Sequence, residues 1–251
     1  MTPRHDIKGL SASDVRLLLD RSCGDLPDDL AEQVPQHLQV DVITVDLAGE
    51  GYLMTIGQHA VVVSARTESW FRQNFTIAHE LGHVAQDSLC TGHTNASNGD
   101  EAGANRFAAD LLMPEDEIRS IDWSAITLSV LAKQIWEWGV STEALATRLR
   151  SLGISARAEV TEALSQSTRG LLRRHMEMPP GPDFITIRSM RATQRQFPAE
   201  LVSRLETAVE SGLAPLESLA FAQGIDVEKL ETQGPITEDP DEDLSLLEGL
   251  D

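Results

Sequence analysis

The chain has 251 residues, of which 41% are apolar, with forty acidic residues against twenty basic and a formal net charge of −20. That length supports one good core plus a smaller module or tail, and the charge argues against a protein that grips nucleic acid by neutralising its phosphates. No apolar run approaches the roughly 18 residues of a membrane span, and two cysteines, Cys23 and Cys90, are too few for a disulfide framework.

The first residues, Met1 to Asp6, lack the apolar stretch of a signal peptide, so a cytoplasmic protein is expected. Residues 11–34 read as helical, with capping chemistry at Ser11 and Asp14 and an apolar face of Val15, Leu17, Leu18, Leu19 and Leu30. Residues 39–47 alternate as a strand, Gly49 and Gly51 turn the chain into a second strand over 52–56, and residues 57–59 turn it into a third over 60–64. The three are expected to form a small antiparallel sheet. Either of the last two can offer an edge to an extended peptide, or be an ordinary paired strand.

A helix follows that carries His79-Glu80-Leu81-Gly82-His83. Residues four apart share a helix face, so His79 and His83 can hold one tetrahedral Zn²⁺ through their imidazoles. Glu80 is then placed to act as general base toward a water at the remaining position. Phe75, Ile77, Ala78, Leu81, Val84 and Ala85 make the segment apolar almost all round. A buried helix with two imidazoles and a carboxylate needs a shared partner for them, because unpaired buried polar groups are costly. A metal provides it.

The third ligand must come from downstream. The metzincin pattern would need His and Gly at positions held here by Leu89 and Gln86, which rules it out. His93 sits in a polar loop and is read as a rim residue with a possible oxyanion or substrate contact. Glu101 is the better candidate: it opens a second helix that Pro114 ends. Asn105, four residues on, shares its face and can accept a hydrogen bond from a ligand histidine, fixing its tautomer. Tyr52, Arg72, His59 and His175 join His93 as candidate donors to the oxyanion of peptide hydrolysis.

The segment from Arg72-Gln73-Asn74-Phe75-Thr76-Ile77-Ala78 through His83, then Glu101, Asn105, Phe107-Ala108-Ala109 and Leu111-Leu112-Met113-Pro114, resembles the ImmA/IrrE metallopeptidases. The likeness extends through Trp138-Gly139-Val140-Ser141 and Arg148-Leu149 to Leu152-Gly153, covering roughly residues 12–155. It implies a minimal zincin-like domain with His79, His83 and Glu101 as zinc ligands, manganese being the alternative ion in the cell. It also implies a protein substrate, a helix-turn-helix repressor whose cleavage frees mobile-element or stress-response genes.

Residues 127–155 read as two helices about a turn at Gly139, completing the catalytic core. They can also pass for a helix-turn-helix, since six arginines against two glutamates make residues 148–174 locally basic. Residues 156–182 read as a helix and linker, 183–187 as a short strand, and 198–230 as two or three helices with a small leucine-rich core. The tail from Gly234 has seven acids and no base, a composition expected to stay disordered.

The expectation is an α+β protein: a zincin-like domain over 1–155, a helix and linker over 156–182, a mostly helical accessory module over 183–233, and an acidic tail over 234–251. Its function is zinc-dependent endopeptidase action on a protein, with neither nucleic acid nor membrane as partner. Two rivals stand beside it: a regulatory protein that sequesters a repressor or antitoxin partner without cutting it, and a transcription factor that reads DNA through 127–175. A zinc deaminase is disfavoured, since no Cys-x-x-Cys pair exists.

Overall fold

The computed structural model describes residues 4–19, 29–56, 59–86, 98–177 and 183–231. His93 and the acidic tail lie outside them. Within them the chain forms an α+β fold with one three-stranded sheet.

Ser11 caps α1 (Ala12–Leu18) reciprocally with Asp14, satisfying two otherwise free amides. Within the region expected to be helical over 11–34, α1 stops at Leu18, and α2 (Leu30–His37) starts after Asp29. The intervening residues 20–28 are outside the described set.

The strands are β1 (Val40–Val45), β2 (Gly51–Ile56) and β3 (His59–Ala65), in the order β1-β3-β2. The antiparallel expectation holds for β2 with β3 but not for β1, which runs parallel to β3 with Val40 opposite Ala60. The reason lies in burial. Residues 60–64 of β3 are buried on both faces, so the strand takes the centre, where neighbours cover it on both sides. β2, with Gly51, Tyr52 and Thr55, is the most exposed strand and sits at an edge.

α3 (Trp70–Ala85) packs its apolar surface on the sheet and is the best-buried helix of the site. Gly51 lets β2 approach it, since a Cβ there would meet Thr76 Cγ2 at 2.6 Å and Val63 O at 2.9 Å. α4 (Asn98–Leu112) lies against α3, and Pro114 separates it from α5 (Glu115–Ser120). α6 (Leu128–Trp138) and α7 (Thr142–Ser151) are capped by Thr127 and Ser141, with Gly139 in the left-handed conformation between them at φ 66°. α8 (Ala158–Leu164) and α9 (Thr168–His175) follow.

Residues 183–187, expected as a strand, instead open α10 (Phe184–Ala192). Their β-branched content misleads. The Asp183 side chain accepts from the Thr186 amide, a helix cap, and the buried residues Ile185, Arg188 and Ala192 follow helical spacing. Arg188 is fully buried, ion-paired to Asp29 at 2.8 Å and stacked on Trp136, its guanidinium carbon 4.8 Å from the ring centroid.

Internal contacts divide the chain into two units, 1–198 and 199–251. The second contains α11 (Ala199–Glu210), α12 (Leu216–Gln223) and α13 (Val227–Glu231), which bury Leu219, Ala220 and Ala222 and leave Leu213 and Phe221 exposed.

Candidate metal centre

His79 and His83 stand one turn apart near the C-terminal end of α3, on its face toward α4. Glu101 comes from the first turn of α4. A Cβ on Gly82 would lie 2.9 Å from Ala104 Cα and 3.1 Å from its carbonyl oxygen, so the bare backbone at that position allows the helices to approach this closely. That approach brings the carboxylate to the imidazoles. Glu101 Oε2 is 3.2 Å from His79 Nε2, and Oε1 is 3.5 Å from His83 Nε2. The two Nε2 atoms are 3.2 Å apart.

This donor set fits a metal. Two nitrogens each about 2.0–2.1 Å from a tetrahedral ion stand about 3.3 Å apart, close to the separation observed. One donor atom from each of His79, His83 and Glu101 lies within 4.8 Å of the others. His79 Nδ1–H donates to Asn105 Oδ1 at 3.1 Å, which leaves the Nε2 lone pair free for coordination. His83 has its proton affinity reduced by burial and then by His79, against opposing pulls from Glu101 and Asp100. Burial and His79 thus both favour its neutral, ligand-competent form. Its buried Nδ1 has no partner, so of the two histidines only His79 has its tautomer fixed by a neighbour among the described residues.

Glu80 is buried, 9% exposed, beside this cluster. Burial first and the nearby Glu101 carboxylate second push its pKa up to about 7, while the Leu53 amide of β2 donates to the carboxylate and opposes the rise. That value is for the metal-free chain, where a carboxyl with such an affinity can take and return a proton near neutrality.

The remaining candidates separate. Tyr52 lies on β2 next to Leu53. Arg72 is in the first turn of α3, roughly 10 Å along the axis from His79, and faces Glu50 at 3.5 Å. His59 is engaged with Asp41 at 2.7 Å, and His175 closes α9. Two contributors escaped the sequence reading. Gly82 left a signal there, since a glycine inside a helix costs about 1 kcal/mol relative to alanine. The Leu53 amide left none, because any residue but proline carries that donor.

Site and fold together define a two-histidine, one-carboxylate centre compatible with zinc, built on an α+β scaffold. Residues 36–150 match the model of the Peptidase_M78 family, the IrrE N-terminal-like domain. The match supports a metallopeptidase kind of activity on a protein substrate. Comparison with curated protein sequences gave no match. No helix among the described residues is long and apolar enough to cross a membrane.

Proposed function

We propose that the protein is a zinc-dependent endopeptidase that cuts a helix-turn-helix repressor and so derepresses mobile-element or stress-response genes. The observation that carries the peptidase reading is the convergence of His79, His83 and Glu101 with Glu80 buried beside them. Zinc held there supplies a Lewis acid that polarises a peptide carbonyl and lowers the pKa of water toward about 7. Asn105 orients His79. Glu80 removes the proton from the attacking water and returns it to the departing amine nitrogen. The outer edge of β2, unpaired by any other described strand, is available to an extended substrate backbone.

The repressor assignment is supported by the resemblance to ImmA/IrrE proteins and by charge: a net −20 attracts a basic DNA-binding surface. The test uses purified protein and the helix-turn-helix repressor encoded nearest to its gene. Zinc-loaded protein is expected to cut the repressor and to stop on chelation. Glu80→Gln is expected to retain one zinc and lose cleavage by at least about a hundredfold. Full activity in a zinc-loaded Glu80→Gln protein overturns the role of Glu80. A repressor that is bound but left intact by the wild type favours sequestration instead.

A further inference from the structure

The packing of α3 on α4 that assembles the metal cluster also opens a groove beside it, with a volume of about 1030 Å³. That is at the top of the roughly 300–1,000 Å³ range of ligand sites. The groove adjoins the centre. Asn105, which holds His79, and Thr76, one turn before Glu80, both line it. Its apolar surface comes from Phe71 and Phe75 of α3, Met113 after α4, and Ala144 of α7. Glu50, at the start of β2, forms part of its lip.

Charge narrows the occupant. Of the three arginines lining the groove, Arg72 faces Glu50 and Arg148 is paired with Asp110. Arg106 has no ionic or hydrogen-bonding partner among the described residues, and it adjoins Asn105 on the wall nearest the metal centre. Glu115 is taken by Arg119, and Glu143 stands on the α7 wall. A guanidinium that no described residue pairs, above an apolar floor, suits a carboxylate beside a large apolar side chain. Geometry places that side chain. From Leu53, whose amide holds Glu80, back to Glu50 is three residues, roughly 10 Å of strand. A peptide laid along β2 with its reacting carbonyl at Glu80 therefore carries a side chain two or three residues away over the groove.

We propose that this groove is the specificity subsite of the peptidase. It takes a large apolar side chain two or three residues from the scissile bond and sets a neighbouring acidic side chain against Arg106. The inference rests on the peptidase reading above.

A peptide library made by digesting a whole-cell proteome tests it in two arms. Zinc-loaded wild type is incubated with the library and the cleaved bonds are read by mass spectrometry. Separately, immobilised Glu80→Gln protein captures library peptides without cutting them. Both arms are expected to enrich Phe, Leu, Met or Trp two or three residues from one fixed point, with Asp or Glu close by. Arg106→Glu is expected to change the acidic-to-basic ratio at that position at least tenfold toward Lys and Arg. Ala144→Trp, which sets an indole against the apolar floor, is expected to weaken the large-apolar preference. Cleavage without such a preference, or a preference that Arg106→Glu leaves unmoved, overturns the subsite while leaving the peptidase standing. Enriched capture by Glu80→Gln without wild-type cleavage leaves the subsite standing and removes the peptidase. Neither cleavage nor enrichment overturns both.

Discussion

Glu80 is the residue on which the chemistry and the stability of this site meet. Its carboxyl is buried beside a second carboxylate and has only the Leu53 amide to favour its charged form, and its pKa rises from 4.5 to about 7. A raised folded-state value means that the metal-free fold holds this proton more tightly than the unfolded chain. The contribution is fully present below pH 4.5 and lost as pH rises through about 7. The Glu80 share of the metal-free protein's stability is therefore expected to fall over that window by on the order of 3 kcal/mol, against the opposite contribution of His83, whose lowered proton affinity favours the fold as pH rises. Urea unfolding at pH 4.5, 6 and 7.5 measures it. Glu80→Gln is expected to flatten this part of the profile; an unchanged slope would place the titration elsewhere.

Among the elements, the α3–α4 contact decides whether there is a site at all. Both histidines of the candidate centre can be present on a sound α3 and still lack a carboxylate unless α4 lies close enough, and Gly82 permits that distance. Alanine is the better helix former by about 1 kcal/mol, so on propensity alone Gly82→Ala would stabilise α3. The backbone of Ala104, which a Cβ would meet at 2.9 Å, cannot yield as a flexible side chain would. Gly82→Ala is therefore expected to weaken zinc binding by at least about tenfold while helix content by circular dichroism is retained. Isothermal titration with zinc measures the loss. Wild-type affinity in this variant would show that the helices can separate without moving Glu101.

For the whole molecule, the family match ends at residue 150 but the core does not. Arg188 of α10 bonds Asp29 at the start of α2 and the Trp136 carbonyl at the end of α6, and lies over the rings of Trp70 and Trp136. Asn74 ties the same region together, accepting from the Leu30 amide and donating to the Gly139 carbonyl. We propose that the folding unit of the peptidase extends to about residue 198, with 199–231 as the accessory module. Removing one member of a buried ion pair leaves the other uncompensated, at about 3–5 kcal/mol. Arg188→Met is expected to destabilise by that amount in chemical denaturation, and Asp29→Asn added to it to recover part of the loss. A small effect of Arg188→Met would show that α10 is dispensable to the core.

Local chemistry was readable from the chain order. The His79–His83 spacing, the Glu101–Asn105 pair, the stop at Pro114 and the turn at Gly139 are set by helical geometry and backbone restrictions that act over a few residues. Contacts between distant segments were not readable in this way. Strand direction depended on which strand most needed cover, and the buried run of β3 took the centre, leaving β1 parallel. The β-branched residues around Ile185 favoured a strand, but an Asp183 cap and a binding place for Arg188 a hundred and fifty-nine residues from Asp29 made them a helix. The hold of Leu53 on Glu80 has no side-chain signature. Spacing along one element can nominate ligands, but their convergence requires two helices and a strand edge to pack at close range, and that depends on residues far apart in the chain.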